Sequence, residues 1–399
     1  NFDHILTIEP ENITALYNVA FLHEYKGNNE EAINNYQAVI QLMPNHISAL
    51  KNYSKLQFKS NKSAESIVFL KDLLKSNPNS IELILALSQN YRLNDQLPRA
   101  IEVLTKLGDN SKLPTSYWII YGDSLLQNEE IDLAIEVYEK GVELLPTSIG
   151  LHLRLISSFE MQQNYDEALK RTKYAYSLFE GNNKLEILLT YFEYKNRNIG
   201  AAKRMLRIIE VKGLDHDLSN SVKGDLLVLE RNYTEAIDVF SSNYSKNATS
   251  KNAVRLARAL KFNQQPKNAE GILEEFLLNH PKDSHLRMLL IELYSQNDRQ
   301  KKIEHLLLIN KLNPKNIIVL NNLAWNYYKL ANNKAALTNI EIAYGLQPDN
   351  IILQESYGTI LVANKMYVKG IEVLTQAMEQ GSADSVARES LDKALAMTQ

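Results

Sequence analysis

The sequence predicts an all-α protein, a right-handed α-α superhelix of eleven stacked helical hairpins, and the first reason is a proline period. Six prolines keep spacings of 33 or 34 residues within two runs: Pro10, Pro44, Pro78, and later Pro281, Pro314, Pro348. A second series keeps the same period or multiples close to it: Ala32, Ala100, Ala134, Ala168, Ala202, Ala236, Ala269 and Ala336. Two residue types therefore indicate one repeat, which is the usual sign of a solenoid.

The third reason is the spacing of apolar residues within each repeat. Apolar side chains recur every three or four residues, as at Ile101, Leu104 and Leu107, and no segment alternates apolar with polar residues as a strand does. We therefore predict two helices in each repeat.

The order of the elements in one repeat follows from the positions of its turn residues and its proline. A first helix of about fourteen residues leads to a turn that often carries Gly or Asn, and the second helix ends at the proline, which cannot continue the hydrogen-bonding pattern. The residues after the proline, such as Asn45 and Asn79, are expected to cap the next helix. Small residues at the eighth and twentieth positions, such as Gly122 and Ala134, are expected where the two helices cross.

This period divides the chain into three parts. Residues 1–12 are interpreted as the end of a truncated upstream repeat, residues 13–384 as eleven units, and residues 385–399 as a capping helix with Val386, Leu391 and Leu395 on its apolar side. The units start at Ile13, Ile47, Ile81, Thr115, Ile149, Asn183, Asp217, Ser250, Ser284, Ile317 and Ile351. Because the chain begins at Asn1 rather than Met and shows no signal peptide, we expect more repeats or another domain upstream.

The unit that starts at Thr115 shows the pattern most fully, with Trp118, Tyr121, Gly122, Ala134, Tyr138, Gly141 and Pro146. This pattern resembles the tetratricopeptide repeat, and the resemblance covers nearly the whole chain. It implies a non-catalytic protein-interaction scaffold whose first helices line a concave groove. Agreement is weakest from Asn183 to Ser250, where residues 211–217 join two poorly matching units. Either a softer joint or ordinary drift of the repeat explains that segment.

Composition narrows the function classes. The 44 basic and 47 acidic side chains give a net charge of -3, which argues against nucleic acid as the main partner because phosphate binding needs a basic surface. No run of 18 apolar residues exists, so no transmembrane segment is predicted. With no cysteine, disulfides and zinc-thiolate sites are excluded.

The sequence gives no support for catalysis, a cofactor or a metal site. No phosphate-binding glycine loop, nucleophile elbow or metalloprotease motif is present. No two of the eight histidines have the three- or four-residue spacing of ligands on one helix face. Asp215-His216-Asp217 is interpreted as a solvated loop, not as a metal site.

The resemblance implies that positions 2, 5, 9 and 12 of each first helix face the groove. Three groups of partner-binding candidates follow. The first group is Tyr17, Phe21, Glu24, Lys51, Lys55 and Phe58. The second, a basic strip, is Lys251, Arg255, Arg258 and Lys261. The third is Met288, Glu292, Asn321, Trp325, Tyr328, Glu355 and Thr359. Aromatic residues and arginine favour interfaces, although aromatic residues of a helical repeat also pack between units.

One known mode of the repeat, in which Lys and Asn of three successive first helices bind a C-terminal carboxylate, is disfavoured. Only Asn52 falls near its pattern. The peptide or partner protein and the oligomeric state are left open by the sequence.

A narrower resemblance concerns the C-terminal repeats. The segments Leu-Asn-Asn-Leu-Ala-Trp-Asn-Tyr-Tyr from Leu320, Gln-Pro-Asp-Asn from Gln347 and Tyr-Gly-Thr-Ile-Leu-Val from Tyr357 are similar to the closing repeats of bacterial lipoproteins that accompany exosortase (PEP-CTERM) sorting systems and exopolysaccharide gene clusters. The resemblance implies a periplasmic, membrane-anchored scaffold, although the lipid-modified cysteine of those proteins is missing here. The alternatives are a regulatory or substrate-presenting arm of an enzyme such as a glycosyltransferase, or a cytoplasmic adaptor.

Overall fold

The computed structural model describes residues 2–108 and 112–398, and within these ranges the protein consists of 24 α-helices without a β-strand. After a short helix α1 (Phe2–Ile8), the helices pair into eleven hairpins, and the final helix is α24 (Ser385–Thr398). The two helices of each hairpin pack against each other, and most second helices also pack against the first helix of the next hairpin. The predicted all-α fold is therefore confirmed.

The first helices of the hairpins begin at the eleven residues at which the repeat period places the unit starts. They are α2 (Ile13–Lys26), α4 (Ile47–Lys59), α6 (Ile81–Leu93), α8 (Thr115–Gln127), α10 (Ile149–Met161), α12 (Asn183–Lys195), α14 (Asp217–Leu229), α16 (Ser250–Phe262), α18 (Ser284–Leu293), α20 (Ile317–Lys329) and α22 (Ile351–Ala363).

The second helices alternate with them. They are α3 (Asn29–Leu42), α5 (Ser63–Ser76), α7 (Leu97–Thr105), α9 (Ile131–Leu144), α11 (Tyr165–Leu178), α13 (Ile199–Val211), α15 (Tyr233–Lys246), α17 (Pro266–Asn279), α19 (Arg299–Leu312), α21 (Asn333–Leu346) and α23 (Tyr367–Glu379).

The helices form two compact units. The N-terminal unit is Asn1–Leu214 and holds α1 to α13, and the C-terminal unit is Asp215–Gln399 and holds α14 to α24. The division falls inside the segment 211–217 that the sequence marks as a weak joint. Each unit has its own apolar core clusters, built from residues of successive hairpins.

Small residues lie where the two helices of a hairpin meet. A Cβ atom at Gly122 of α8 would lie 2.3 Å from Cε1 of Tyr138 in α9, and one at Gly224 would lie 2.4 Å from the same ring atom of Phe240. Ala134 is fully buried in the same contact region. The large ring on one helix therefore occupies the space that the missing side chain leaves on the other.

The helix caps differ from the prediction by one residue. Asn45 and Asn79, directly after their prolines, do not cap. The following residues do, because His46 accepts from the amide of Ala49 at 3.1 Å and Ser80 accepts from that of Leu83 at 3.3 Å. The proline and its successor form a turn, and the next residue takes the N-cap position.

In ten of the eleven hairpins the turn between the two helices contains a left-handed residue, and the turn between α18 and α19 is the exception. The first hairpin uses glycine there, Gly27, with φ of 80°. The other nine use the residues Asn61, Asp95, Glu129, Gln163, Arg197, Arg231, Gln264, Ala331 and Lys365, all with φ near 60°. Asn and Asp adopt this conformation readily, whereas the repeat geometry imposes it on the other side chains.

Two helices are shorter than the period predicts. Helix α7 has 9 residues, so Leu107 lies beyond its end, and α18 has 10 residues. At the end of α18, Tyr294 takes an extended conformation, and its hydroxyl donates to Oε1 of Glu274 at 2.8 Å. Side-chain contacts therefore replace the last helical turn of α18.

The final helix α24 packs against α22 and α23, but its apolar side differs from the prediction. Ala387 and Ala394 are fully buried, Val386 and Leu391 are half-buried, and Leu395 is 42% exposed. Close packing against two helices favours the small alanines at the contact, so the placement of Leu395 on the covered side was wrong.

Candidate protein-binding surface

Many first helices contact the first helix of the next hairpin in the same unit. In the N-terminal unit α4 contacts α6, α6 contacts α8 and α8 contacts α10, while the Glu24–Lys55 ion pair joins α2 to α4. In the C-terminal unit α14 contacts α16, α16 contacts α18 and α20 contacts α22. Most second helices pack instead against the first helices before and after them in the same unit. We call the solvent-facing side of these adjoining first helices the first-helix surface.

The first candidate group forms a hydrogen-bonded network on α2, α3 and α4. Oε1 of Glu24 accepts from Nζ of Lys55 at 3.2 Å, and Oε2 accepts from the hydroxyl of Tyr36 at 3.0 Å. Nδ2 of Asn52 donates to that hydroxyl at 3.0 Å and lies 3.5 Å from the hydroxyl of Tyr17. Burial raises the pKa of Tyr36 well above its usual range, and Glu24 adds to this shift.

The remaining members of this group are exposed side chains beside that network. Phe21 on α2 is 52% exposed and Phe58 on α4 is 47% exposed. Lys51 is also exposed, one turn before Lys55. Tyr36 and Asn52 were missing from the predicted group because the sequence argument considered only four positions of each first helix.

A second network of the same kind lies on α8, α9 and α10. Asp123 accepts two hydrogen bonds from Arg154, at 2.8 Å from Nε and 3.3 Å from Nη2, and one from the Tyr138 hydroxyl at 2.6 Å. The Asp123 carboxylate raises the pKa of Arg154, and burial together with Asp123 raises the pKa of Tyr138. These residues were not among the predicted candidates.

The basic strip of α16 is partly neutralised. Nε of Arg255 donates to Oδ1 of Asp225 on α14 at 3.3 Å, and both side chains are about three quarters buried. Lys251, Arg258 and Lys261 are exposed. Three cations of this helix, rather than four, therefore face solvent.

The third candidate group centres on Trp325 in α20, which is half-buried. Its Nε1 donates to Oγ of Ser356 on α22 at 2.7 Å, and its ring meets that of Tyr328 edge to face at 5.4 Å. Nζ of Lys329 lies 5.6 Å from the centre of the Trp325 ring and 5.3 Å from that of Tyr328. Such a cation over two rings stabilises their positions.

The other members of this group have different surroundings. Met288 is half-buried and packs against an apolar cluster, whereas Glu292 is exposed. Oδ1 of Asn321 is buried without a hydrogen-bond partner in the described part of the chain. Glu355 accepts a short hydrogen bond from Ser382. Thr359 is 1% exposed, so its placement at the surface was wrong, since α24 packs over this part of α22.

A further polar network, which the sequence argument missed, links α17, α18 and α19. Nη1 of Arg287 lies 2.8 Å from Nδ1 of His305, and Nε2 of His305 lies 3.2 Å from the Tyr294 hydroxyl. Because arginine only donates, Nδ1 must accept and carries no proton. Burial lowers the pKa of His305, and the charge of Arg287 lowers it further.

The segment Asp215-His216-Asp217 anchors the start of α14. His216 is the N-cap residue and accepts from the amide of Leu218 at 3.1 Å. Asp215 pairs with Lys246, which lowers the pKa of Asp215, and Asp217 accepts from Nδ2 of Asn247 at 2.9 Å. Asp215 and His216 are exposed and lie before the helix, so the segment is a solvated loop whose side chains also hold the start of α14 in place.

The described residues contain neither a metal-binding group of side chains nor a helix that could span a membrane. No three His, Asp or Glu side chains in residues 2–108 and 112–398 are grouped as a metal site requires. None of the helices in these ranges is long and apolar enough to cross a membrane.

Comparison with protein families identifies the repeat in two segments. Models described as tetratricopeptide repeat match residues 25–89 and residues 115–147. The chain thus contains tetratricopeptide repeats, and repeats of this kind form protein-interaction scaffolds. The assignment of all of residues 13–384 to such units, of residues 1–12 to an earlier one and of residues 385–399 to a cap stays a prediction, and Asn1 and Gln399 lie outside the described residues.

Comparison with curated proteins gives no significant match. Among solved structures, the chain is similar to yeast Tom70, with 13% identity over 98% of this chain and 96% of that chain and a TM-score of 0.42. A tetratricopeptide repeat protein from Parabacteroides merdae ATCC 43184 shows 15% identity over 63% of this chain and 98% of that chain, with a TM-score of 0.41. The chain is also similar to a chain in the structure of Naa15/Naa10 bound to HypK-THB, with 16% identity and a TM-score of 0.37. This match covers 94% of the present chain but only 59% of the other.

Proposed function

We propose that this protein is a non-catalytic scaffold that binds a peptide or partner protein on its first-helix surface. The observation that carries the proposal is a pair of exposed phenylalanines on adjacent first helices. Phe21 is 52% exposed and Phe58 is 47% exposed, and the Glu24–Lys55 ion pair joins the same two helices. Aromatic rings on a rigid surface lose little entropy on binding and are typical anchors of interfaces.

The charges around these rings define the chemistry of the partner. Lys51 and Lys55 are exposed on α4, the helix that carries Phe58. A segment with an apolar anchor and flanking carboxylates would complement this region, because complementary charge speeds association and selects the partner. The exposed cations of α16, which are Lys251, Arg258 and Lys261, lie in the C-terminal unit and form a separate basic region.

We place this scaffold in the bacterial cell envelope, as a periplasmic lipoprotein of exosortase protein sorting or exopolysaccharide export. The support is the resemblance of residues 320–377 to the closing repeats of such lipoproteins. The alternatives are an arm of a larger enzyme such as a glycosyltransferase and a cytoplasmic adaptor. The complete reading frame separates the three: a signal peptide with a lipidated cysteine, a catalytic domain, or neither.

The binding proposal is tested by capture with the immobilised chain from an envelope extract, followed by mass spectrometry and an affinity measurement on the purified partner. The Phe21→Ala/Phe58→Ala double variant should weaken binding at least 30-fold, since an anchor contributes about 2 kcal/mol or more. The control is Tyr174→Ala, which removes a 48% exposed ring from the second helix α11.

Unchanged affinity in the folded double variant would exclude this surface as the binding site. Loss of affinity in the Tyr174 variant alone would place the binding site on the second helices instead. Melting curves of both variants establish that each is folded.

A further inference from the structure

A cavity of about 910 Å³ lies beside α5, α6 and α7 in the N-terminal unit. Its volume is in the range of small-molecule sites. Its position follows from the length of α7, which has 9 residues where the neighbouring second helices α5 and α9 have 14. The short helix leaves a cleft beside α6.

The cavity has an apolar floor and a basic rim. The floor consists of Leu74, Ile81, Ile84, Leu87, Tyr91, Val103, Leu107 and Leu113. The rim carries the exposed cations Lys71, Lys75, Arg99 and Lys106. The one acidic side chain among the described lining residues is Glu102, which pairs with Lys106 at 2.9 Å. The lining as a whole is therefore amphipathic and positively charged.

Tyr91 provides a second sign of a ligand. The residue is only 5% exposed and lines the cavity. Its hydroxyl forms no hydrogen bond with any residue in the described ranges. The hydroxyl oxygen itself is not fully buried, so it reaches the cavity, where an acceptor atom of a ligand could accept its hydrogen bond.

The cavity is long enough for an alkyl chain. Lining residues run from Ile81 to Tyr91, so the cavity extends about 15 Å along α6. The extended chain of a fatty acid can lie along this length, over the apolar floor and within reach of the basic rim.

We propose that this cavity binds a fatty acid, with the alkyl chain on the apolar floor and the carboxylate held by the Tyr91 hydroxyl and the rim cations. Each part of the ligand then meets its complement, because the floor excludes water from the chain and the cations face the anionic head. This site is separate from the first-helix surface and needs no protein partner.

The test is calorimetric titration of the full chain with dodecanoate, decanoate and octanoate below their micellar concentrations. We expect saturable binding of one molecule, strengthened about fourfold by each added methylene. Dodecyltrimethylammonium, which has the same chain and a cationic head, should bind at least tenfold more weakly. Affinity that does not depend on chain length, or equal binding of the cation, would overturn the proposal.

Two variants locate the site. Val103→Trp fills the cavity and should abolish binding. Val137→Trp, the same change 34 residues later and outside the cavity lining, should leave it intact. Tyr91→Phe removes only the hydroxyl and should weaken the binding of dodecanoate two- to tenfold.

Helicity and melting curves show whether each variant is folded. If Val103→Trp does not fold, the affinities of Tyr91→Phe and Arg99→Gln for dodecanoate test the site. Unchanged affinity in both of these, or in folded Val103→Trp, contradicts the site. Binding of an acidic peptide in place of dodecanoate, lost in Val103→Trp, would contradict the fatty-acid assignment.

Discussion

At Gly122 the two helices of one hairpin pack with no space for a side chain. A Cβ atom there would lie 2.3 Å from the ring of Tyr138, which is fully buried and cannot move aside easily. Gly271 in α17 is different, because no atom lies within 4 Å of the corresponding position. The same substitution therefore has opposite effects at the two glycines.

We expect Gly122→Ala to lower the free energy of unfolding by about 1 to 3 kcal/mol through overpacking. Gly271→Ala should raise it by about 0.5 to 1 kcal/mol, because alanine favours a helix interior. Urea unfolding of both variants measures this. A destabilised Gly271 variant or a neutral Gly122 variant would show that the packing is misplaced.

His305 makes stability depend on pH. Its pKa is lowered in the folded state by burial and by the nearby charges of Arg287 and Lys301, against the opposing effect of Glu274 and Glu304. The unfolded state therefore binds a proton at a higher pH than the folded state. The stabilisation is complete above the unfolded pKa of about 6.5 and is lost as the pH falls below it.

The matching variant is His305→Gln, which can keep an acceptor toward Arg287 and a donor toward Tyr294 without titrating. Between pH 6.5 and 5, the wild type should lose stability relative to this variant by up to about 1.4 kcal/mol per pH unit. The exposed His285→Gln is the control. Parallel curves for wild type and His305→Gln would contradict the proton assignment.

Trp325 is both a packing residue and a candidate binding residue. Its ring is half-buried, and its N–H is already bonded to Ser356, so a partner would contact the remaining ring face. Trp325→Phe should lower the free energy of unfolding by about 1 kcal/mol through loss of that hydrogen bond. It should change affinity for a partner little.

Trp325→Ala should weaken the binding of a partner by about 2 kcal/mol or more if the ring is an anchor. Chemical denaturation and an affinity measurement on both variants separate the two roles. If folded Trp325→Ala binds the partner with unchanged affinity, Trp325 has only a packing role.

At the scale of the elements, the left-handed non-glycine residue between the helices of nine hairpins is a repeated source of strain. Ala331 adopts φ of 58° at the end of α20. Ala331→Gly should stabilise the protein by about 0.5 to 1 kcal/mol, because glycine adopts this conformation without a Cβ clash. Ala335→Gly, four residues later and inside α21, should destabilise it by about 1 kcal/mol. Thermal melts of the pair test the turn geometry, and the reverse order of stability would refute it.

The helices were predictable because prolines and small residues recur once in each repeat. The caps were misplaced by one residue because the turn formed by Pro44 and Asn45 is not visible in composition alone. The length of α18 was missed because the contacts of Tyr294 with Glu274 and His305, which replace its last turn, join parts of the chain that are distant in sequence.

The side-chain networks were missed, although they leave a pattern in the sequence. Opposite charges 30 to 32 residues apart pair across neighbouring hairpins at Glu24–Lys55, Asp123–Arg154, Glu139–Arg171 and Asp225–Arg255. This spacing is slightly below one repeat period, so it joins equivalent faces of successive units. A search for opposite charges at this spacing would have found the network residues Asp123 and Arg154.

At the scale of the molecule, the chain is two helical arrays joined between α13 and α14. Lys212 forms an ion pair with Glu186 of the N-terminal unit at 2.7 Å, and Asp215 forms one with Lys246 of the C-terminal unit. Each array buries its apolar surface between successive hairpins, which leaves a side of the first helices available along each unit. The central claim is that this first-helix surface, and not the second helices, binds the partner.

Hydrogen-deuterium exchange of the chain with and without its purified partner tests this claim most directly. We expect slower amide exchange on binding in first helices that carry the candidate residues, such as α2 and α4, with α3 and α5 unchanged. Protection confined to second helices, with α2 and α4 unchanged, would contradict it.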